Sequence, residues 1–373
     1  MIIKKNWIFI SSLCLLFLAG LLIKRPGFYH FSFDPQEMVG RYLKSQDIYD
    51  PQGKIKDRIF LSDSDIYLAS GYLYALGKNP ADYNFQHPPF LKYLYGFSLR
   101  LFENPFVLQI IFIFSLFALT YLLGLKISGD SKVSIISLIF LALDPLTANV
   151  THNVYLDLGQ TVFGLAFVLF FIFFPASWLL QGIFLGLLLS AKFWSTSLFL
   201  FALLAVYRLV ILKNFNFRGF LKMLAVSVVV YLLTYFMFFL RGGNLSGFMW
   251  LQLKMIRFML SHDSISSLGG QIWLFLTGFY NSWWSRAGLL RGNFWSPLWP
   301  ISLGALCLGL IKKKLRPVLA LPAFIVFGFF IATLKGAPFT RYFIFITPYL
   351  YISLAVVIYY WLTKIKKNPK IKR

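Results

Sequence analysis

Carboxylates are scarce in this chain: 13 Asp and Glu stand against 36 Lys and Arg in 373 residues, a net charge of +23. Cysteine is scarcer still. Cys14 and Cys307 each fall within an apolar run, so a disulfide framework and a zinc site of Cys spacing are both excluded. Alternating apolar and polar residues, the mark of a membrane-spanning β-barrel, are missing as well. There is no internal repeat and no low-complexity tract, so residues 1–373 read as one domain. What the chain has instead is apolar length. Hydrophobic residues make up 58% of it and the mean hydropathy is +0.71, well outside soluble globular composition. Continuous apolar runs of roughly 20 residues recur, which is the length a helix needs to cross a bilayer. The basic excess lies largely in short connections and the C-terminal tail, a pattern of membrane orientation rather than nucleic-acid binding.

The fold expected is an all-α polytopic membrane protein. The first span is Trp7 to Ile23, behind Lys4 and Lys5; Gly20 and the residues after it offer no clear small-residue cleavage site, so this helix is read as retained. Nine further spans are expected at about 105–125, 133–150, 158–174, 177–193, 194–212, 219–240, 297–311, 317–334 and 342–363. Ten helices put both termini on one side. Lys126, Lys132, Arg208, Lys213, Arg218, Lys222, Lys312 to Lys314 and Arg316 all fall on that side, as does the basic tail, which makes it cytoplasmic. Two long segments are then left outside. Residues 24–104 carry ten Lys/Arg and nine Asp/Glu, and residues 241–296 carry Trp250, Trp273, Trp283, Trp284 and Trp295, suited to an interfacial belt. Within the first, Ile66, Leu68, Ala69, Tyr72, Leu73 and Leu76 approximate one face of a helix lying on the membrane surface and ending at Gly77.

Once this topology is drawn, the unusual polar residues converge on the outer side. Asp63, Asp65, His87 and Lys92 lie in the first outer loop, and Asp144 and Asp157 bracket the next outer turn. Lys192 and Arg341 fall at the outer ends of two spans. Charge at membrane depth is costly and marks candidate sites, and both signs at one face suit an anionic lipid headgroup. Most of these residues also have a plainer reading, Asp157 least of all. Asp63 could cap the surface helix and Asp65 could favour its first turn. His87 could hold a turn before Pro88 and Pro89, and Asp144 before Pro145 could be a helix cap. Lys192 and Arg341 could snorkel to headgroups.

The run HPPFLK at 87–92 resembles the His-Pro-Pro-x-x-Lys signature of the dolichyl-phosphate-mannose protein mannosyltransferases. DSDIY at 63–67 resembles the acidic motif of the wider class C (GT-C) glycosyltransferases. Asp144 and Asp157 fall where that class carries an acidic second outer loop. GIFLGLLLSAKFW at 182–194 resembles its Gly-rich helix ending in Lys-aromatic, and RYFIFITP at 341–348 its late Arg-Tyr stretch. Ser64 stands where many relatives have Glu, and Asn153 where the protein mannosyltransferases tend to carry Arg.

The resemblance implies an integral plasma (inner) membrane enzyme that moves a sugar, mannose or a related hexose, from a polyprenyl-phosphate donor. The acceptor would be a hydroxyl, of protein Ser/Thr or alternatively of a lipid or cell-envelope glycan, and the transfer would invert the anomeric centre. Asp63 or Asp65 would be the base; His87, Lys92, Asp144, Asp157, Lys192 and Arg341 would bind substrate, with Lys192 and Arg341 on the phosphate. A divalent metal at Asp63 and Asp65 is conceivable, although two oxygen ligands make a poor site. A lipid or solute transporter is the rival from another class. It would need mid-span charges and helices broken in a repeat, and neither is evident.

Overall fold

The computed structural model describes residues 2–24, 29–48, 55, 57–214, 216–263, 267–282 and 288–367. The chain is almost wholly helical. It opens with the apolar helix α1 (Ile2–Lys24), then the short α2 (Pro35–Leu43), capped by Asp34, whose carboxylate accepts from Gln36 N and Glu37 N. The two following helices, α3 (Asp63–Ala75) and α4 (Phe90–Phe102), form a crossed pair. Next come α5 (Phe106–Ser128), α6 (Ser131–Leu143), α7 (Pro145–His152), α8 (Leu156–Phe173), α9 (Trp178–Ala191) and α10 (Trp194–Val206), the last prolonged by a π-helical turn, Tyr207–Leu212. The chain then runs through α11 (Phe217–Leu233), α12 (Phe236–Leu240), α13 (Leu245–Asp263) and α14 (Gly270–Thr277) to a two-stranded antiparallel hairpin, β1 (Phe279–Asn281) with β2 (Leu289–Arg291). It closes with α15 (Leu298–Ile311), α16 (Arg316–Ala332), a 3-10 helix (Thr340–Phe345) and α17 (Thr347–Lys367).

Each of the ten segments expected to span is helical, but not each is one straight rod. The 133–150 segment breaks at Asp144–Pro145 into α6 and α7, bent by 63°. Proline has no amide hydrogen to continue the ladder, and the Asp144 carboxylate accepts from Leu146 N to restart it. The 219–240 segment divides at Thr234–Tyr235 into α11 and α12. Among the described residues four helices are long and apolar enough to cross a membrane by length and composition, or five if α6 and α7 count as one span; α9, α15 and α16 are shorter apolar helices.

The helix expected at the membrane surface is largely buried against its neighbours. α3 buries Ile66 to Gly71 in an unbroken run, together with Leu73, Tyr74 and Ala75, while Leu76, expected on the apolar face, is exposed. The reason lies in two glycines. A Cβ on Gly71 would come within 2.2 Å of the Lys92 carbonyl oxygen, and one on Gly96 within 1.9 Å of the Gly71 oxygen. α3 and α4 therefore meet backbone to backbone, and no one-sided amphipathic face is needed. The cap of α3 is not Asp63, the plainer reading of that residue. Ser62 is the N-cap, with its hydroxyl accepting from Asp65 N and donating to the Asp65 carboxylate, and Asp63 is the first helical residue. Of the tryptophans expected at an interface, Trp250 and Trp273 are exposed and Trp295 is half-buried, its indole donating to the Phe275 carbonyl. Trp283 and Trp284 lie outside the described residues.

Candidate active site

Four of the residues singled out from sequence join in one alternating row of charge. Asp63 is paired with Arg341; Arg341 Nε lies 3.6 Å from an Asp157 carboxylate oxygen; and the other Asp157 oxygen accepts from Lys192 Nζ at 2.5 Å. The row is built from helix ends. Asp63 and Asp157 lie in the first turns of α3 and α8, where the helix dipole favours a carboxylate, and Lys192 follows the last residue of α9, where it favours a cation. Arg341 is supplied by the 3-10 helix, which packs on α8.

Aromatic rings wall the two cations. The Arg341 guanidinium lies 4.7 Å from the ring centres of both Tyr155 and Phe339, and Lys192 Nζ lies 4.1 Å from that of Tyr342. These rings were missed in sequence reasoning. The available signal was adjacency: Tyr342 follows Arg341, and Tyr155 stands two residues before Asp157.

A cavity of about 170 Å³ opens beside this row. His87, Asp157, Lys192 and Tyr342 make its polar end, and much of the rest is apolar, including Leu200 and Leu203 of α10 and Ile325 and Phe329 of α16. Two buried nitrogens have no hydrogen-bond partner, His87 Nδ1 in the cavity lining and Arg341 Nε in the adjoining row of charge. Burial, together with Lys192, Lys92 and Arg341, holds the His87 imidazole well below its usual pKa, so it is neutral.

The remaining expected site residues are placed otherwise. Lys92 is fully buried and its Nζ donates to Asn84 O at 2.6 Å, Asn84 Oδ1 at 3.0 Å, His87 O at 2.8 Å and the Tyr74 hydroxyl at 3.2 Å. It ties down the turn that carries His87. All of its donors are engaged within the protein, which suits the shaping of the site more than contact with substrate. Asp144 is likewise occupied. Besides its cap to Leu146, it accepts from Trp299 Nε1 at 2.9 Å and from the Tyr351 hydroxyl, joining α7 to α15 and α17. Asp65 points elsewhere. A spacing of two residues turns about 200° around a helix, and Asp65 lines a separate cavity of about 300 Å³ with Phe31, Phe33, Asp34, Glu37 and Arg41. Asp63 and Asp65 therefore do not converge as a metal pair: Asp63 holds a guanidinium, Asp65 holds the Ser62 hydroxyl, and among the described residues no three His, Cys, Asp or Glu side chains are grouped to hold a metal.

No family model matches the chain, and no curated protein sequence matches it. Solved structures do. ArnT from Cupriavidus metallidurans bound to undecaprenyl phosphate superposes with a TM-score of 0.59 at 14% identity, over 92% of this chain and 59% of that one. The apo state of ArnT from the same organism gives 0.57 at 16% identity, over 96% of this chain and 62% of that one. The fold is that of the GT-C glycosyltransferases, in an integral membrane protein. The chain spans about three fifths of the length of the ArnT structures it matches.

Proposed function

We propose that this protein is a polyprenyl-phosphate-dependent glycosyltransferase, with the cavity beside Asp157 and Lys192 as its donor site. The observation that carries the reading is the make-up of that cavity: Lys192 and the unpartnered His87 Nδ1 line it beside Asp157, with Arg341 next in the same row of charge, and aliphatic and aromatic side chains line much of the rest. A phosphate with a long isoprenoid tail has that same division. The fold agrees with it, since one of the ArnT structures holds undecaprenyl phosphate.

In the proposed reaction an acceptor hydroxyl attacks the anomeric carbon from the face opposite the phosphate. The bond from that carbon to the phosphate oxygen breaks, polyprenyl phosphate leaves, and the sugar is inverted. Asp63 takes the acceptor's proton; Lys192 and Arg341 stabilise the charge that develops on the phosphate; neutral His87 faces the donor headgroup. Asp157 keeps the two cations together. The site lies on the outer face of the plasma (inner) membrane, with both termini cytoplasmic and 24–104 and 241–296 outside.

The sugar is mannose or a related hexose, and the first acceptor to consider is protein Ser/Thr. The cavity at Asp65 supports the alternative, a glycan. Phe31 and Phe33 beside Asp34, Glu37 and Arg41 offer rings for stacking on sugar faces and charged groups for hydroxyls. Purified protein incubated with labelled polyprenyl-phosphate sugars, with a Ser/Thr peptide and with envelope glycan tests both. Label should move from the lipid to one of them, and Asp63→Asn should lose on the order of 10²-fold or more in turnover. Label that never leaves the lipid, or full activity in Asp63→Asn, refutes the assignment.

A further inference from the structure

Asp63 does not wait free for an acceptor; it is bound to Arg341. We propose that the donor's phosphate exchanges for Asp63 at Arg341, so that arrival of the donor is what frees the base. This rests on the donor reading above and adds an order to it: the lipid must bind before the acceptor can be deprotonated.

The charges lead to that order. The row holds two anions and two cations and is neutral. A phosphodiester brings one further negative charge, so one carboxylate must give up its partner. The two carboxylates are unequal. The Asp157 side chain is 5% exposed and lies between Lys192 and Arg341, whereas that of Asp63 is 42% exposed and holds Arg341 by one pair. Stripping a buried carboxylate of its partners leaves it without water as well, while a half-exposed one is rehydrated when released. Asp63 is therefore the group displaced. Arg341 is suited to the exchange: its guanidinium carries five donors, and its Nε has no hydrogen bond.

Release also suits the chemistry. While Arg341 holds it, the Asp63 carboxylate is engaged by a guanidinium donor rather than by the acceptor hydroxyl. Once Arg341 turns to the phosphate, the Asp63 carboxylate is free to accept the hydroxyl proton as the carbon–oxygen bond to the phosphate breaks. The proton ends on Asp63 and the extra negative charge on the departing polyprenyl phosphate. That product, more negative than the donor, keeps Arg341 until it leaves, and its departure restores the pair.

The test is equilibrium binding of undecaprenyl phosphate to the purified full-length chain and to Asp63→Asn. Removing a competitor for Arg341 should tighten binding by about tenfold, the scale of one charged hydrogen bond, in the same variant that loses turnover. Unchanged or weaker binding by the variant, with the unaltered protein binding well, overturns the exchange and leaves the donor reading standing. Failure of the unaltered protein to bind the lipid at all overturns the donor reading, and the exchange with it. A second measurement needs no variant. Carbodiimide labelling of Asp63, followed by peptide mass spectrometry, should rise severalfold when undecaprenyl phosphate is added, while labelling of Asp34 stays constant. Constant or reduced labelling of Asp63 overturns the exchange.

Discussion

The ammonium of Lys92 donates to the carbonyl oxygen of His87, five residues earlier, at 2.8 Å. The same nitrogen holds both oxygens of Asn84, whose amide in turn donates to Asp47, as does that of Gln86, both at 2.8 Å. The His-Pro-Pro turn is thus fixed from below by a cation that never reaches the cavity. His87 is the part of the motif that faces the cavity, and Lys92 is what holds it there.

Lys92→Met keeps the length of the side chain and removes its donors. Leaving those buried oxygens unpaired should cost about 1–3 kcal/mol, read as a lower melting temperature in detergent. Loss of donor affinity with stability unchanged would instead mean that Lys92 touches the donor.

Gly71→Ala and Gly96→Ala should each destabilise the protein by about 1–3 kcal/mol, because the added methyl meets backbone that cannot rotate aside. Gly20→Ala, with nothing within 4 Å, is the comparison and should be neutral or slightly stabilising. Thermal melts of the three variants decide; equal stability would show that α3 and α4 do not meet closely.

His87 gives a pH dependence. Its pKa is held below the ordinary 6.5 in the folded protein, so the unfolded chain takes up a proton that the native one refuses. The stability this group contributes is complete above pH 6.5 and is lost as pH falls below it, by at most about 1.4 kcal/mol per pH unit. The melting temperature should fall between pH 6.5 and 5, and His87→Asn should flatten that slope. An unaltered slope in the variant would assign it to other groups.

Replacing Lys192 or Arg341 by Ala should weaken use of a polyprenyl-phosphate sugar by about 1.5–3 kcal/mol each, measured as kcat/KM for the donor. Unchanged donor kinetics in both variants would remove them from the headgroup site.

Orientation can be read with reporters. One fused after Arg373 should be cytoplasmic, and one inserted near Gly53 should face outside; both positions lie outside the described residues. If the two report the same side, the ten-span topology is wrong.

The amino-acid sequence by itself determined the all-helical membrane architecture, because hydrocarbon leaves few ways to satisfy a backbone and runs this long satisfy it as helices. It also marked out the charged residues, because in so apolar a chain a charge needs a reason. The cap at Asp144–Pro145 was legible as one reading of that residue, since a cap and a proline act within one turn, but the span was drawn through it and the bend came only with the structure. Which charges meet was decided only by the tertiary structure. Asp63 and Arg341 are 278 residues apart and Asp157 and Lys192 are 35 apart, and no local period brings either pair together. The choice between Asp63 and Asp65 was of the same kind. Residues two apart on a helix face different neighbours, and the close Gly71–Gly96 crossing helps set which side of α3 looks toward Arg341. Composition and spacing report what a residue costs where it stands; the partner that repays that cost is chosen by how the helices pack.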